Sequence, residues 1–214
     1  MKDQNIEDDL TSIRSLMERS SKFISLSGLS GIMAGVYALI GAGVAYRIIY
    51  NSPEVIWTEL KRSDPSIGLF SGRLDPLIPL FVVALVVLIA SIGTGIFLSY
   101  KKAQKKNQRL WSPTTRSLLF HSAIPLLTGG IFILIMMSRG YYGVIASASL
   151  IFYGLAVISG SHYTFTDVKY LGIFDIILGL IAALWPGYGL ILWTIGFGLL
   201  HIIYGSMVYF KYDR

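Results

Sequence analysis

The chain has 214 residues, 54% of them hydrophobic and only 14% charged, with 22 glycines, no cysteine and a formal net charge of +6. Long apolar runs with almost no polar face argue against a water-soluble domain, and the missing cysteines exclude disulfides and thiolate metal sites. The positive balance reads as a membrane-orientation signal and an attraction to anionic headgroups, not as nucleic-acid binding.

The first 22 residues are rich in Asp, Glu and Ser and lack the basic start, apolar run and small-residue cleavage site of a signal peptide, so no processing is expected. Ile6, Leu10, Ile13, Leu16 and Met17 fall on one helical stripe with Glu7, Arg14 and Glu18 elsewhere, which predicts an amphipathic helix running to about Ser20. It is expected on the inner membrane surface, over the cytoplasmic ends of the bundle, or as a handle by which a cytoplasmic protein docks on residues 6–20.

Six apolar runs follow: Phe23–Tyr50, Pro76–Tyr100, Ser117–Ser138, Tyr141–Gly160, Lys169–Trp185 and Tyr188–Phe210. A bilayer crossing needs about 20 mostly apolar residues, so the predicted fold is all-α, a polytopic membrane protein with six transmembrane helices in three antiparallel hairpins over residues 23–210. An outer loop at 51–75 carries Ser52-Pro53-Glu54, which reads as a helix start with Ser as N-cap and Pro at the first helical position. A basic loop at 101–116 joins spans two and three. Ser138-Arg139-Gly140 and Pro186-Gly187 are turns tight enough to make hairpins of spans three and four and of spans five and six. Thr128-Gly129-Gly130 before Tyr142-Gly143 parallels Leu178-Gly179-Leu180 before Tyr188-Gly189, a hint of an internal repeat. Residues 211–214 form a short tail.

Charge placement orients the bundle. Thirteen Lys and Arg fall on the side of the N-terminal segment, the 101–116 loop, Lys169 and the tail, against five (Arg47, Lys61, Arg62, Arg73 and Arg139) on the other. The basic side belongs in the cytoplasm, so both termini are expected inside a bacterial inner membrane. Lys101, Lys102, Lys105, Lys106 and Arg109 serve as an orientation signal or as a site for lipid headgroups or a partner. Gly31-x3-Gly35 with Ala34, Ala38 and Ala42, Ser91-x3-Gly95, and Gly172, Gly179 and Ala183 are the small residues expected at helix contacts. Tyrosines and tryptophans near the span ends are expected interface anchors.

Two segments carry a resemblance. Glu18-Arg19-Ser20-Ser21-Lys22-Phe23 running into Ser27-Gly28-Leu29-Ser30-Gly31, and Gly187-Tyr188-Gly189-Leu190 running into Phe197-Gly198-Leu199-Leu200-His201-Ile202-Ile203-Tyr204-Gly205, resemble a family of uncharacterised bacterial six-helix membrane proteins. That resemblance implies the fold and no established activity. The glycine-rich hairpins broken by Pro-Gly are also similar to those of HdeD-like acid-resistance membrane proteins, a likeness that transfers no functional residue.

Ionisable groups at membrane depth are the remaining candidates. Asp175 is about 12 residues before the Pro186-Gly187 turn and His201 about 14 after it, which places them at nearly one level in the cytoplasmic half and on faces bearing glycines. A charged Asp inside a bilayer costs at least about 2.5 kcal/mol, so a partner is expected: the two form either a structural hydrogen bond or a proton-titratable pair. His121, one turn into span three, and His162, at the end of span four, lie on the same side and are expected to touch headgroups. Together with Asp175 and His201 they have the residue types of a Zn²⁺ site, although no His-x3-His or His-Glu-x2-His spacing is present. Pro125 is expected to kink span three and open a cavity. No phosphate loop, nucleophile elbow or haem-attachment motif occurs. The expected function is therefore non-catalytic, that of a regulatory, stress-related or scaffold protein without a cofactor. The alternatives are a small-solute or proton-coupled transporter using Asp175 and His201, and a metal-dependent membrane enzyme using the histidines.

Overall fold

A computed structural model describes residues 27–51, 78–105, 111–165 and 167–213. The amphipathic helix expected at residues 6–20, the short helix expected after Ser52, and Lys106 and Arg109 of the basic loop lie outside the described residues. Within them every regular element is helical. Five helices are long and apolar enough to cross a membrane: Gly28–Ile49, Ile78–Lys105, Pro113–Ser138, Tyr142–Ser161 and Pro186–Tyr212. A further helix, Val168–Leu184, has 17 residues and a length of about 26 Å, at the lower limit for a crossing.

We label the helices α1 (Gly28–Asn51), α2 (Ile78–Lys105), α3 (Pro113–Ser138), α4 (Ile145–Ser161) and α5 (Val168–Leu184). The last span is composite. It runs through a 3-10 turn (Pro186–Tyr188), α6 (Gly189–Trp193), a π-helical segment (Thr194–Leu200), α7 (His201–Val208) and a second π-helical segment (Tyr209–Asp213).

Local chemistry explains the ends that hydropathy alone misplaces. Helix α3 begins four residues before the apolar run because Ser112 caps it, its side chain accepting from the Thr115 amide at 3.1 Å, with Pro113 in the first turn where a missing N–H does no harm. Helix α2 outlasts its apolar run by five residues and carries Lys102 and Lys105 in the last turn, where cations complement the helix dipole. Between α3 and α4, Gly140 has φ 79°, and the amides of Arg139, Gly140 and Tyr141 return to Ile135, Met137 and Met136, closing the turn that Ser138-Arg139-Gly140 predicts. Pro125 lies inside α3, which remains one continuous helix through it.

Small residues decide which helices meet. A Cβ on Gly154 would stand 2.5 Å from the Gly172 carbonyl oxygen, and one on Gly172 the same distance from that of Gly154, so α4 and α5 approach to backbone contact. The same happens between α1 and the last span, where a Cβ on Gly35 would lie 2.6 Å from the Gly198 oxygen and one on Gly205 2.5 Å from the Ile32 amide. Two groups result: α1 between α2 and the last span, and α4 between α3 and α5, with the last span touching α5 and α4 near its first turns. Span five thus lies chiefly against span four, not against span six as the tight Pro186-Gly187 turn suggests. Gly95, expected at a helix contact, faces no atom within 4 Å of its would-be Cβ, and Ala183 is exposed whereas its neighbour Ala182 is buried. At one end of the bundle Met137 and Tyr142 pack with Ile48, Ile49, Leu80, Ile133 and Ile145. At the other, the α4–α5 link meets the C-terminal segment. The outer faces of α2 and α3 are almost wholly apolar and exposed.

Candidate functional site

Asp175 is the eighth residue of α5, close to its midpoint, and with Leu150 it is one of the two largest side chains that are completely buried. Among the described residues neither carboxyl oxygen has a hydrogen-bond partner. The side chain lies over Gly196 of the π-helical segment: a Cβ there would be 2.8 Å from Asp175 Oδ1 and 2.5 Å from Leu150 Cδ2. Only glycine at position 196 leaves that space.

The wide helical turn beside it has a local cause. The Thr194 hydroxyl donates to the Leu190 carbonyl at 2.7 Å, a back-bond that loosens the ladder, and Gly196 and Gly198 follow. His201, five residues after Gly196, takes advantage of the loosened turn and places Nδ1 2.9 Å from the Gly196 carbonyl oxygen. A carbonyl only accepts, so Nδ1 carries the proton and donates it. In the neutral ring Nε2 is then the acceptor, and the Tyr153 hydroxyl donates to it at 2.7 Å. Tyr153 and Phe197 surround this bond, their rings 5.3 and 5.7 Å from the imidazole, and Trp193 adjoins Phe197 at 5.0 Å. Asp175 and His201 are both buried, but they do not bond each other: the histidine is engaged by Gly196 and Tyr153. Tyr153 shares a face of α4 with Leu150, three residues before it, whose Cδ2 borders Gly196 beside the Asp175 carboxyl.

Tyr153 escapes a reading that treats tyrosines as interface anchors. A signal for it was present. It lies about 13 residues after Gly140, and Asp175 about 11 before Pro186; the two turns close the same end of the bundle, so the two side chains share a depth. The π-helical segment, by contrast, has no residue pattern that separates it from an ordinary glycine-rich helix.

The other histidines are elsewhere. His121 is exposed, with Nδ1 2.8 Å from the Ser117 carbonyl and the ring 5.1 Å from that of Tyr163. It lines an open groove with Trp111, Arg116 and Phe120. His162 is exposed, with Nδ1 3.4 Å from the Ser159 carbonyl. Among the described residues no three His, Asp or Glu side chains come together as a metal site, so His121, His162, Asp175 and His201 are not brought to one point. Of the basic loop, Lys101 and Lys102 lie over the rings of Phe97 and Phe165 at 4.6 and 5.6 Å, and Lys105 is exposed.

A second polar cluster closes the C-terminal end. Lys211 Nζ donates to Asp167 Oδ2 at 2.6 Å, Tyr212 OH donates to the same oxygen at 3.0 Å, and Tyr212 stacks on Phe165 at 4.0 Å. The Lys211 hydrogen bond, aided by that of Tyr212, holds the Asp167 carboxyl below the usual carboxylate range. Beneath this clasp the Tyr204 hydroxyl is buried without a hydrogen-bond partner.

No family model, curated protein or solved structure matches the chain.

Proposed function

We propose that the chain is a multi-pass membrane protein of the regulatory or stress-related kind whose conformation follows the protonation of Asp175. The observation that carries this reading is a carboxyl half-way along a membrane-length helix, 0% exposed and with no hydrogen-bond partner on either oxygen. An ionisable group of that kind is expensive in a bilayer and is not retained for packing, because Asn or Leu would be cheaper there. Charging it has to be met by a rearrangement that gives it water, a cation or a donor, and that rearrangement is the proposed response. Tyr153 and His201 are the polar groups at hand. The basic excess of 13 to five orients both termini toward the cytoplasm of a bacterial inner membrane.

Proton-coupled movement of a small solute is the second reading. It is favoured by the last span, whose helix changes pitch at the level of Asp175, since interrupted helices line substrate and ion sites in transporters. Both readings place the proton on Asp175. The test is the pH profile of cysteine accessibility at the outward-facing Leu199→Cys and Ile203→Cys in reconstituted vesicles. A profile near the last span that depends on pH in the otherwise native protein and is flat when Asp175→Asn is added is the expected result. Identical profiles with and without Asp175→Asn would overturn the proposal.

A further inference from the structure

The site at Asp175 is sealed, and a proton needs a path to it. We propose that protons reach Asp175 from the Asp167–Lys211 end of the bundle by way of Tyr204, His201 and Tyr153, and that the Asp167–Lys211–Tyr212 clasp closes this path. The inference rests on Asp175 as the protonated group and adds the route and the side.

Tyr204 is the first ground for it. Its hydroxyl is buried and bonds nothing, which is costly for a group that a Phe would replace without loss. It follows His201 by three residues in α7, so the two side chains share a face about one turn apart. Toward the end of the bundle Lys211 and Tyr212 follow Tyr204 by seven and eight residues, about two turns further along the last span. Toward the interior stand His201, the Tyr153 hydroxyl at 2.7 Å from its Nε2, and Asp175, whose Oδ1 borders the same Gly196 that accepts from His201 Nδ1. Beside Asp175 Oδ1 stand the bare backbone of Gly196, whose carbonyl holds His201 Nδ1, and the apolar Leu150 of α4, with Tyr153 three residues further along that helix on the same face. From Asp167 to Asp175 the path covers eight residues of helix, about 12 Å.

The clasp is the second ground. An ion pair, a shared hydrogen bond and the Phe165–Tyr212 stack tie the α4–α5 link to the C-terminal segment, about two turns beyond Tyr204, and Lys102 Nζ lies 5.6 Å from the Phe165 ring. Opening it would admit water to the buried Tyr204 hydroxyl.

The transfer balances. The Tyr153 hydroxyl first turns its hydrogen from His201 Nε2 to the Asp175 carboxylate, which frees the Nε2 lone pair; a proton arriving from water at Tyr204 then forms an O–H bond there as the original one breaks toward Nε2. Nδ1 keeps its own proton on the Gly196 carbonyl, and the ring becomes an imidazolium. Tyr153 then takes the Nε2 proton while its own passes to the Asp175 carboxylate, which leaves a neutral histidine and a carboxylic acid. One proton has entered and no other species has changed.

The test is the rate at which Asp175 takes up a proton after a pH jump on the C-terminal side of vesicles holding the full chain, followed by the infrared carbonyl band of its acid form. Tyr204→Phe loses no hydrogen bond and should fold normally. It and Tyr153→Phe should slow the uptake by about tenfold or more while leaving its final extent unchanged, as expected when a proton-relaying hydroxyl is removed. Asp167→Asn should speed it. Native rates in Tyr204→Phe, or equal rates when the jump is made on the opposite side, would overturn the route. A band that survives Asp175→Asn would instead overturn the assignment of Asp175 itself, so the two failures are distinguishable.

Discussion

Asp175 and His201 are both buried but under opposite bonding conditions, and substitution should separate them. The Asp175 carboxyl makes no bond that could be lost, so Asp175→Asn should leave thermal stability in detergent at pH 7 unchanged or raised. His201 holds two hydrogen bonds, and His201→Ala strands the Tyr153 hydroxyl and the loosened Gly196 carbonyl. The cost expected for such interhelical polar contacts is roughly 0.6–2 kcal/mol. A marked loss of stability in Asp175→Asn together with none in His201→Ala would reverse the roles assigned to the two residues. Their burial was legible from the glycine-bearing helix faces on which they lie. Their separate bonding was not, because it depends on Tyr153 projecting from α4 and on the pitch of the last span, and neither property is local to the residues concerned.

At the scale of the helices, close approach is concentrated where Gly meets backbone. Gly172→Val pushes carbon into the Gly154 carbonyl, which cannot move aside, so it should destabilise by about 1–3 kcal/mol or more and part α4 from α5. Gly95→Val, in equally apolar sequence but facing nothing within 4 Å, should change stability by about 0.5 kcal/mol or less. Equal losses in the two variants would mean that helix propensity, not packing, governs these positions. Sequence alone marks both glycines as small residues and cannot tell which has a partner, since that depends on which helices become neighbours. The clasp makes its own prediction. The folded-state carboxyl of Asp167 titrates below its ordinary value of 3.8, so its stabilisation is present above that value and is lost as pH falls through the folded one. Asp167→Asn should lower the melting temperature slightly at pH 7, less than a fully buried pair would because the site is partly exposed, and the difference from wild type should close as the pH drops below the carboxylate range. A difference that persists there would show that the charge of Asp167 is not what holds the C-terminal segment.

Over the whole molecule, hydropathy located the helices well because the apolar runs are long and the connections short; their order and the Gly140 turn follow directly from residues 138–140. What hydropathy could not supply was adjacency. Spans five and six are joined by a two-residue turn, yet their strongest packing is with spans four and one, where glycine ridges match. Orientation rests on charge. With 13 basic residues against five, tags at both termini should report the cytoplasm and Ser63→Cys should be labelled from outside intact cells; labelling only after lysis would invert the bundle and with it the side from which Asp175 is proposed to be reached. The central claim, that Asp175 gains and loses a proton while the protein remains folded in a membrane, is tested most directly by pH-difference infrared spectroscopy of the full chain in lipid vesicles. A carboxylic-acid band that appears on acidification within the range where the fold is intact and vanishes in Asp175→Asn is the predicted result. Spectra of wild type and Asp175→Asn that superimpose over that range would contradict the account.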